Sequence, residues 1–201
     1  MYTNKKNHIN NKGKELSHEE VIFGQVWLGT FVSDVVSSFN VKPDAVIGYS
    51  LGETAGFFST RTWTARDEML ERIQQSTLFT EELAGNCTSV QRAWGTDKPI
   101  QWALGVLNTS ADNVKAALKK YSHVYLLIIN TPNECVIGGD RDELNQAVKE
   151  LNAQYHPLSG VTTVHCEVAK PVEKAYRDLH IFETAPPENV TFYSGIRGGA
   201  Y

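Results

Sequence analysis

The sequence predicts an α/β fold, and three observations carry that expectation. An apolar run, Ala45-Val46-Ile47, ends abruptly in Gly48-Tyr49-Ser50-Leu51-Gly52, and a small-residue helix start follows. From residue 100 the patterns read strand–helix–strand–strand–helix–strand, the order of a ferredoxin-like unit. A further helix and a strand over 190–193 then return the chain to the first section. The expected architecture is a parallel-sheet core, residues 17–99 and 165–201, into which residues 100–164 are inserted as a small subdomain.

The elements follow in order. Residues 1–16 are rich in Asn and Lys with little to bury, and are expected to be a disordered tail. Ser17-His18-Glu19-Glu20 reads as a helix cap with an acidic first turn. Apolar residues recur over 21–36, which predicts a long helix with a broad buried face. Asn40 and Pro43 close it and lead into the strand before Ser50. Beyond the helix that follows Ser50, Thr64 or Asp67 opens another, running to about Thr80. Residues 82–99 read as a loop with short helical pieces.

Strands are expected over 100–106, 124–129, 134–138 and 161–164, and helices over 110–121 and 140–151. Residues 171–180 form one more helix, 190–193 a last strand, and the tail to Tyr201 a loop.

Composition bounds the function. A formal net charge of −4 argues against nucleic acid as a main partner. The three cysteines, Cys87, Cys135 and Cys166, have no CxxC or metal-ligand spacing, and no histidine pair is spaced for zinc. No apolar run reaches the ~18 residues of a membrane span, and the polar start lacks a secretory apolar core. The expected compartment is the cytoplasm.

The chemistry centres on Ser50. A strand, a sharp turn and a helix place its hydroxyl at an apex, with the Leu51 N–H at a helix N-terminus beside it. An N–H there stabilises the oxyanion formed when a serine attacks an acyl carbonyl. The two glycines are expected where neighbouring backbone passes close. A serine hydroxyl needs a base. His123, His156, His165 and His180 are candidates, while His8 and His18 lie in the polar start. His165 stands out at a strand end, where active-site residues of open α/β sheets collect.

Three motifs in order carry a family resemblance: Gly48-Tyr49-Ser50-Leu51-Gly52-Glu53, Asn130-Thr131-Pro132 within the inserted unit, and Val164-His165-Cys166-Glu167-Val168-Ala169-Lys170-Pro171. Together they resemble the acyltransferase domains of fatty-acid and polyketide synthases, which are similar to malonyl-CoA:acyl-carrier-protein transacylase. The wording around Ser50 is most like the multidomain synthases of polyunsaturated fatty acids, glycolipid-type lipids and polyketides. The resemblance implies an α/β-hydrolase-like core with the ferredoxin-like insert. It implies that Ser50 takes an acyl group from acyl-CoA, with His165 as base and Leu51 N–H in the oxyanion hole. The acyl group then passes to the phosphopantetheine thiol of an acyl carrier protein. No metal or resident cofactor is implied, acyl-CoA being the substrate, and other domains of a parent synthase are the expected partners.

Departures from the family pattern shape the remaining expectations. The family's Gly-Gln-Gly loop has no counterpart in residues 1–20, and its closing segment falls beyond Tyr201, so the chain is expected to be a piece of a larger synthase or a truncated product. Many members carry an arginine that pairs with the malonyl carboxylate. Gln75 stands at that position here, with Arg72 one turn earlier; a neutral Gln75 favours a monocarboxylic acyl group such as acetyl. The alternative is that Gln75 is a surface helix residue. Tyr49 is expected to shape the acyl pocket, Asn130 either to touch substrate or to cap a turn, and Cys166 to be merely packed. Two other functions compete: a serine hydrolase of the α/β-hydrolase kind, and a catalytically silent acyltransferase-like piece that docks to synthase partners.

Overall fold

The computed structural model describes residues 16–159 and 162–201, so the polar start, apart from Leu16, and Val161 lie outside the described residues. Helix α1 (His18–Ser38) opens with the capping box its sequence predicts. The Ser17 hydroxyl accepts the Glu20 N–H at 3.1 Å, and the Glu20 carboxylate accepts the Ser17 N–H at 2.7 Å.

The broad buried face expected of α1 does not form. Only Val26 and Thr30 are buried, whereas Trp27, Leu28, Phe31, Val32, Val35 and Val36 are each 43–55% exposed. The physical reason is geometric: α1 packs mainly along α2 (Leu51–Ser59), close enough that a Cβ on Gly29 would sit 3.4 Å from that of Ala55. One neighbouring helix covers only a stripe. By length and composition α1 could also cross a membrane, with a mean hydropathy of 1.3, which corrects the expectation that no stretch qualifies.

Strand β1 (Ala45–Ile47) lies between α1 and α2 in sequence and pairs in parallel with β6 (Thr191–Ser194), Val46 opposite Phe192. The tail expected as a loop instead supplies β7 (Gly199–Ala200), antiparallel to β6. The first sheet is therefore one parallel pair with a short antiparallel strand, in the order β1-β6-β7, and less than the parallel-sheet core expected.

After α2, α3 (Arg66–Gln74) ends earlier than its pattern suggests, and a separate π turn (Leu78–Glu82) follows. The Ser76 hydroxyl takes the Leu78 N–H at 3.1 Å, an interaction that competes with a continuous helical ladder. Helix α4 (Thr88–Trp94) is bounded by Cys87 and Gly95, both left-handed.

The second sheet contains β2 (Trp102–Leu107), β3 (Val124–Thr131), β4 (Glu134–Asp140) and β5 (Tyr155–Leu158). Its order is β3-β4-β2-β5, and all neighbours are antiparallel. The pattern places the fourth strand at 161–164, but among those residues 162–164 are not in a strand. Pro157 hides the real strand from a pattern reading. It is tolerated because β5 is an edge strand, where a missing N–H leaves no ladder bond unmade.

Helices α5 (Ala111–Leu118) and α6 (Arg141–Leu151), capped by the Ser110 and Asp140 side chains, bring Val114 and Leu144 onto this sheet. These bury a core with Leu107, Cys135 and Ile137. A separate core of Phe58, Met69, Ile73, Leu78, Leu83 and Val172 sits around α2 and α3. In place of one helix over 171–180, a 3₁₀ helix (Glu167–Val172) leads into α7 (Glu173–Asp178).

Candidate active site

Ser50 lies between β1 and α2 with φ 51° and ψ −120°, a conformation that costs a non-glycine residue roughly 1–3 kcal/mol. The surrounding turn holds it there: Gly52 N–H donates to the Tyr49 carbonyl at 2.8 Å and Glu53 N–H to the Ser50 carbonyl at 3.0 Å. Gly48 is a steric necessity, since a Cβ there would lie 2.2 Å from the Glu53 backbone nitrogen. Gly52 is not, for a Cβ on it would meet nothing within 4 Å, which corrects the expectation for the second glycine. Leu51 opens α2, so its N–H is among the first-turn donors that the helix itself leaves unpaired.

The His165 Nε2 stands 2.9 Å from the Ser50 Oγ, joining residues 115 apart in sequence. His165 does not follow a strand. It sits in a turn anchored by Thr163, whose N–H and hydroxyl both donate to the Leu83 carbonyl at 2.9 and 3.2 Å. Burial holds the His165 ring below its ordinary pKa of 6.5, so the imidazole is neutral at pH 7 and its Nε2 can accept a proton.

Cys166 beside it is a weak nucleophile, because burial pushes its thiol up to about 11. His18 and His180 also line the Ser50 cavity, but neither is hydrogen-bonded to Ser50 as His165 is. His123 Nδ1 lies 3.1 Å from the Glu143 carboxylate, His180 Nδ1 lies 2.8 Å from the Tyr176 carbonyl, and His156 is exposed on β5.

Ser50 and His165 share a cavity of about 590 Å³. Apolar side chains wall it from both halves of the chain, Phe57, Met69 and Ile73 on one side and Leu104, Leu127 and Val136 on the other. Among the described residues, no lysine or arginine lines it. Tyr49 lines it too, and its hydroxyl donates to the Asn130 side-chain carbonyl at 3.0 Å.

Arg72 and Gln75 do not line it, correcting their expected place at the acyl group. Helix α3 turns Met69 and Ile73 toward the cavity, so Arg72 faces another way. Its guanidinium donates to the Asp178 and Ile181 carbonyls at 3.2 and 2.8 Å, pairs with Glu68, and lies 4.6 Å over the Phe182 ring. Gln75 caps the exposed end of α3.

Two carboxylates escape a sequence reading. Glu53 Oε1 accepts the Gly195 N–H at 3.1 Å and so ties the turn between β6 and β7 to the Ser50 helix. Its place directly after Gly52 is the available hint. Glu134 accepts from Asn130 Nδ2 at 2.8 Å, and only the fold brings it near Tyr49. Among the described residues no group of three His, Cys, Asp or Glu side chains could hold a metal ion.

No protein-family model matches the chain. One component of the polyunsaturated fatty acid synthase of Thraustochytrium sp. is 27% identical over 176 residues, which are 83% of this chain and 8% of that protein. Among solved structures, the acyltransferase domain of phenolphthiocerol/phthiocerol synthase A from Mycobacterium bovis superposes with a TM-score of 0.69 at 18% identity. That match covers 93% of this chain and 68% of the other. The chain has the fold of synthase acyltransferase domains. FabD from Acinetobacter baumannii also superposes at 0.69, with 16% identity, over 92% of this chain and 58% of its own. The chain thus spans under a tenth of the length of its synthase relative and about two thirds of the M. bovis acyltransferase domain.

Proposed function

We propose that the chain moves an acyl group from acyl-CoA, through a seryl ester on Ser50, to the phosphopantetheine thiol of an acyl carrier protein. The single observation that carries this reading is the 2.9 Å contact between the Ser50 Oγ and the His165 Nε2 at a strand–turn–helix apex. Oγ attacks the thioester carbonyl carbon while Nε2 takes its proton. The negative charge that develops on the carbonyl oxygen falls where the Leu51 N–H can donate to it. Collapse breaks the carbon–sulfur bond, and the departing coenzyme A thiolate takes the proton from His165. In the second half the carrier thiol gives His165 its proton and attacks the seryl ester, and Ser50 is reprotonated as it leaves. Acyl-CoA is a substrate here, and no resident cofactor enters a step.

The finer architecture belongs to the same reading. Residues 17–99 and 165–201 act as an α/β-hydrolase-like core, and 100–164 as a ferredoxin-like insert. The order β3-β4-β2-β5 with two helices on the sheet supports that assignment. Other domains of a parent synthase would be the neighbours.

Incubation with acetyl-CoA or malonyl-CoA, followed by intact mass measurement, tests the proposal. A stable acyl adduct that holo acyl carrier protein discharges is expected. Rapid release of coenzyme A without an adduct would make the chain a hydrolase, and neither adduct nor release would make it a silent docking piece.

A further inference from the structure

Among the described residues, the Ser50 cavity is lined by one carboxylate and three histidines, His18, His165 and His180. Glu53 lines it, with its Oε1 held by the Gly195 N–H, and among the described residues no lysine or arginine does. A second carboxylate, Glu134, lies outside the lining and is linked to it by two hydrogen bonds. Tyr49, adjacent to the nucleophile, donates its hydroxyl to Asn130 Oδ1 at 3.0 Å, and Asn130 Nδ2 donates to Glu134 Oε1 at 2.8 Å. This chain of contacts runs from the Ser50 turn to the first residue of β4, across the two halves of the molecule.

Its direction is fixed by Glu134. An ionised carboxylate only accepts, so the amide nitrogen of Asn130 must face it and the amide oxygen must face Tyr49. The Tyr49 proton is then committed to Asn130 and is not offered to the cavity. Burial, together with the nearby Glu134 charge, raises the Tyr49 pKa, so the phenol stays neutral.

Resting on the acyl-transfer reading above, we propose that Glu134 is the acyl-group selector of this site, a positioning residue that acts through Asn130 and Tyr49 to disfavour acyl groups carrying a free carboxylate. Two effects act together. The Glu134 charge repels a second carboxylate beside the half-exposed Tyr49, and the committed Tyr49 hydroxyl withholds a donor that such a group needs. Neutral acyl groups such as acetyl lose neither interaction.

Glu134→Gln isolates the charge, because a glutamine carbonyl still accepts from Asn130. Acetyl-CoA and malonyl-CoA share every atom outside the acyl group, so the ratio of their Ser50 acylation rates reads the acyl end alone. The parent should prefer acetyl. In Glu134→Gln the acetyl-to-malonyl ratio should fall about three- to tenfold, and further in Glu134→Lys, with the shift shrinking at high salt. An unchanged ratio in both variants would overturn the proposal, even if both rates fell, since a merely structural role moves the two substrates alike. Binding of the two CoA esters to Ser50→Ala, with and without Glu134→Gln, reads the same discrimination without acylation. Failure of the parent to acylate would therefore strike the transfer reading, while an unmoved binding ratio would strike Glu134.

Discussion

The two sheets of this molecule are built to different degrees of closure. In the four-stranded sheet, Leu107, Cys135 and Ile137 are fully buried under α5 and α6, and each strand has its antiparallel partner. In the β1-β6-β7 sheet, Ile47 is 79% exposed and Tyr193 41%, and α1 turns a continuous apolar face to the outside. Helix α1 and the four-stranded sheet are both apolar in sequence. Pattern specifies the element and its apolar side; burial also requires something on that side. Ser50 sits on the open region and Leu104, Leu127 and Val136 on the closed one, so the cavity is a seam between a well-covered wall and a less covered one.

That contrast can be broken by truncating one isoleucine in each sheet. Ile137→Ala should cost about 2–5 kcal/mol in denaturant unfolding, as cavities in closed cores do. Ile47→Ala should stay within about 0.5 kcal/mol, because its side chain is already in water. Equal losses would mean that the β1 sheet is as well packed as the other.

The two glycines around Ser50 sharpen the comparison within the open region. Gly48→Ala drives a Cβ into the Glu53 backbone and should cost about 1–3 kcal/mol and the acylation activity. Gly52→Ala meets open space within α2, where alanine is the better helix former, and should be neutral or stabilising by up to about 1 kcal/mol. Thermal unfolding of both variants reads the difference.

What is legible in the sequence is local. The capping box at Ser17, the apolar run before Ser50, and the Ser110 and Asp140 caps are short-range chemistry, and each element forms within a few residues of its expected bounds. β5 escapes because Pro157 looks unlike a strand until its edge position is known. The exposed face of α1 escapes because burial depends on neighbours that no helical period encodes. At the site, Ser50 and His165 are legible as types in motifs. Glu53 and Glu134 matter through a contact 142 residues away in the first case and through a four-residue turn facing Tyr49 in the second. Arg72 is misplaced by a count from Ser50, because on α3 it is Met69 and Ile73 that face the cavity while Arg72 lies over Phe182.

A smaller effect concerns pH. Only neutral His165 accepts the Ser50 proton, and burial lowers its pKa below 6.5. Acylation should therefore rise with pH, pass its midpoint below 6.5, and flatten above it. A midpoint above 7 would mean that a different group, or a charged partner of the ring, governs the step.

Where the acyl group goes is the most direct test of the Ser50–His165 mechanism. After incubation with acetyl-CoA, peptide mass mapping should place the acetyl group on Ser50. The adduct should vanish in Ser50→Ala and form ~10²–10⁴-fold more slowly in His165→Ala. An acetyl group mapped to Cys166, or His165→Ala acylating at the parent rate, would contradict it.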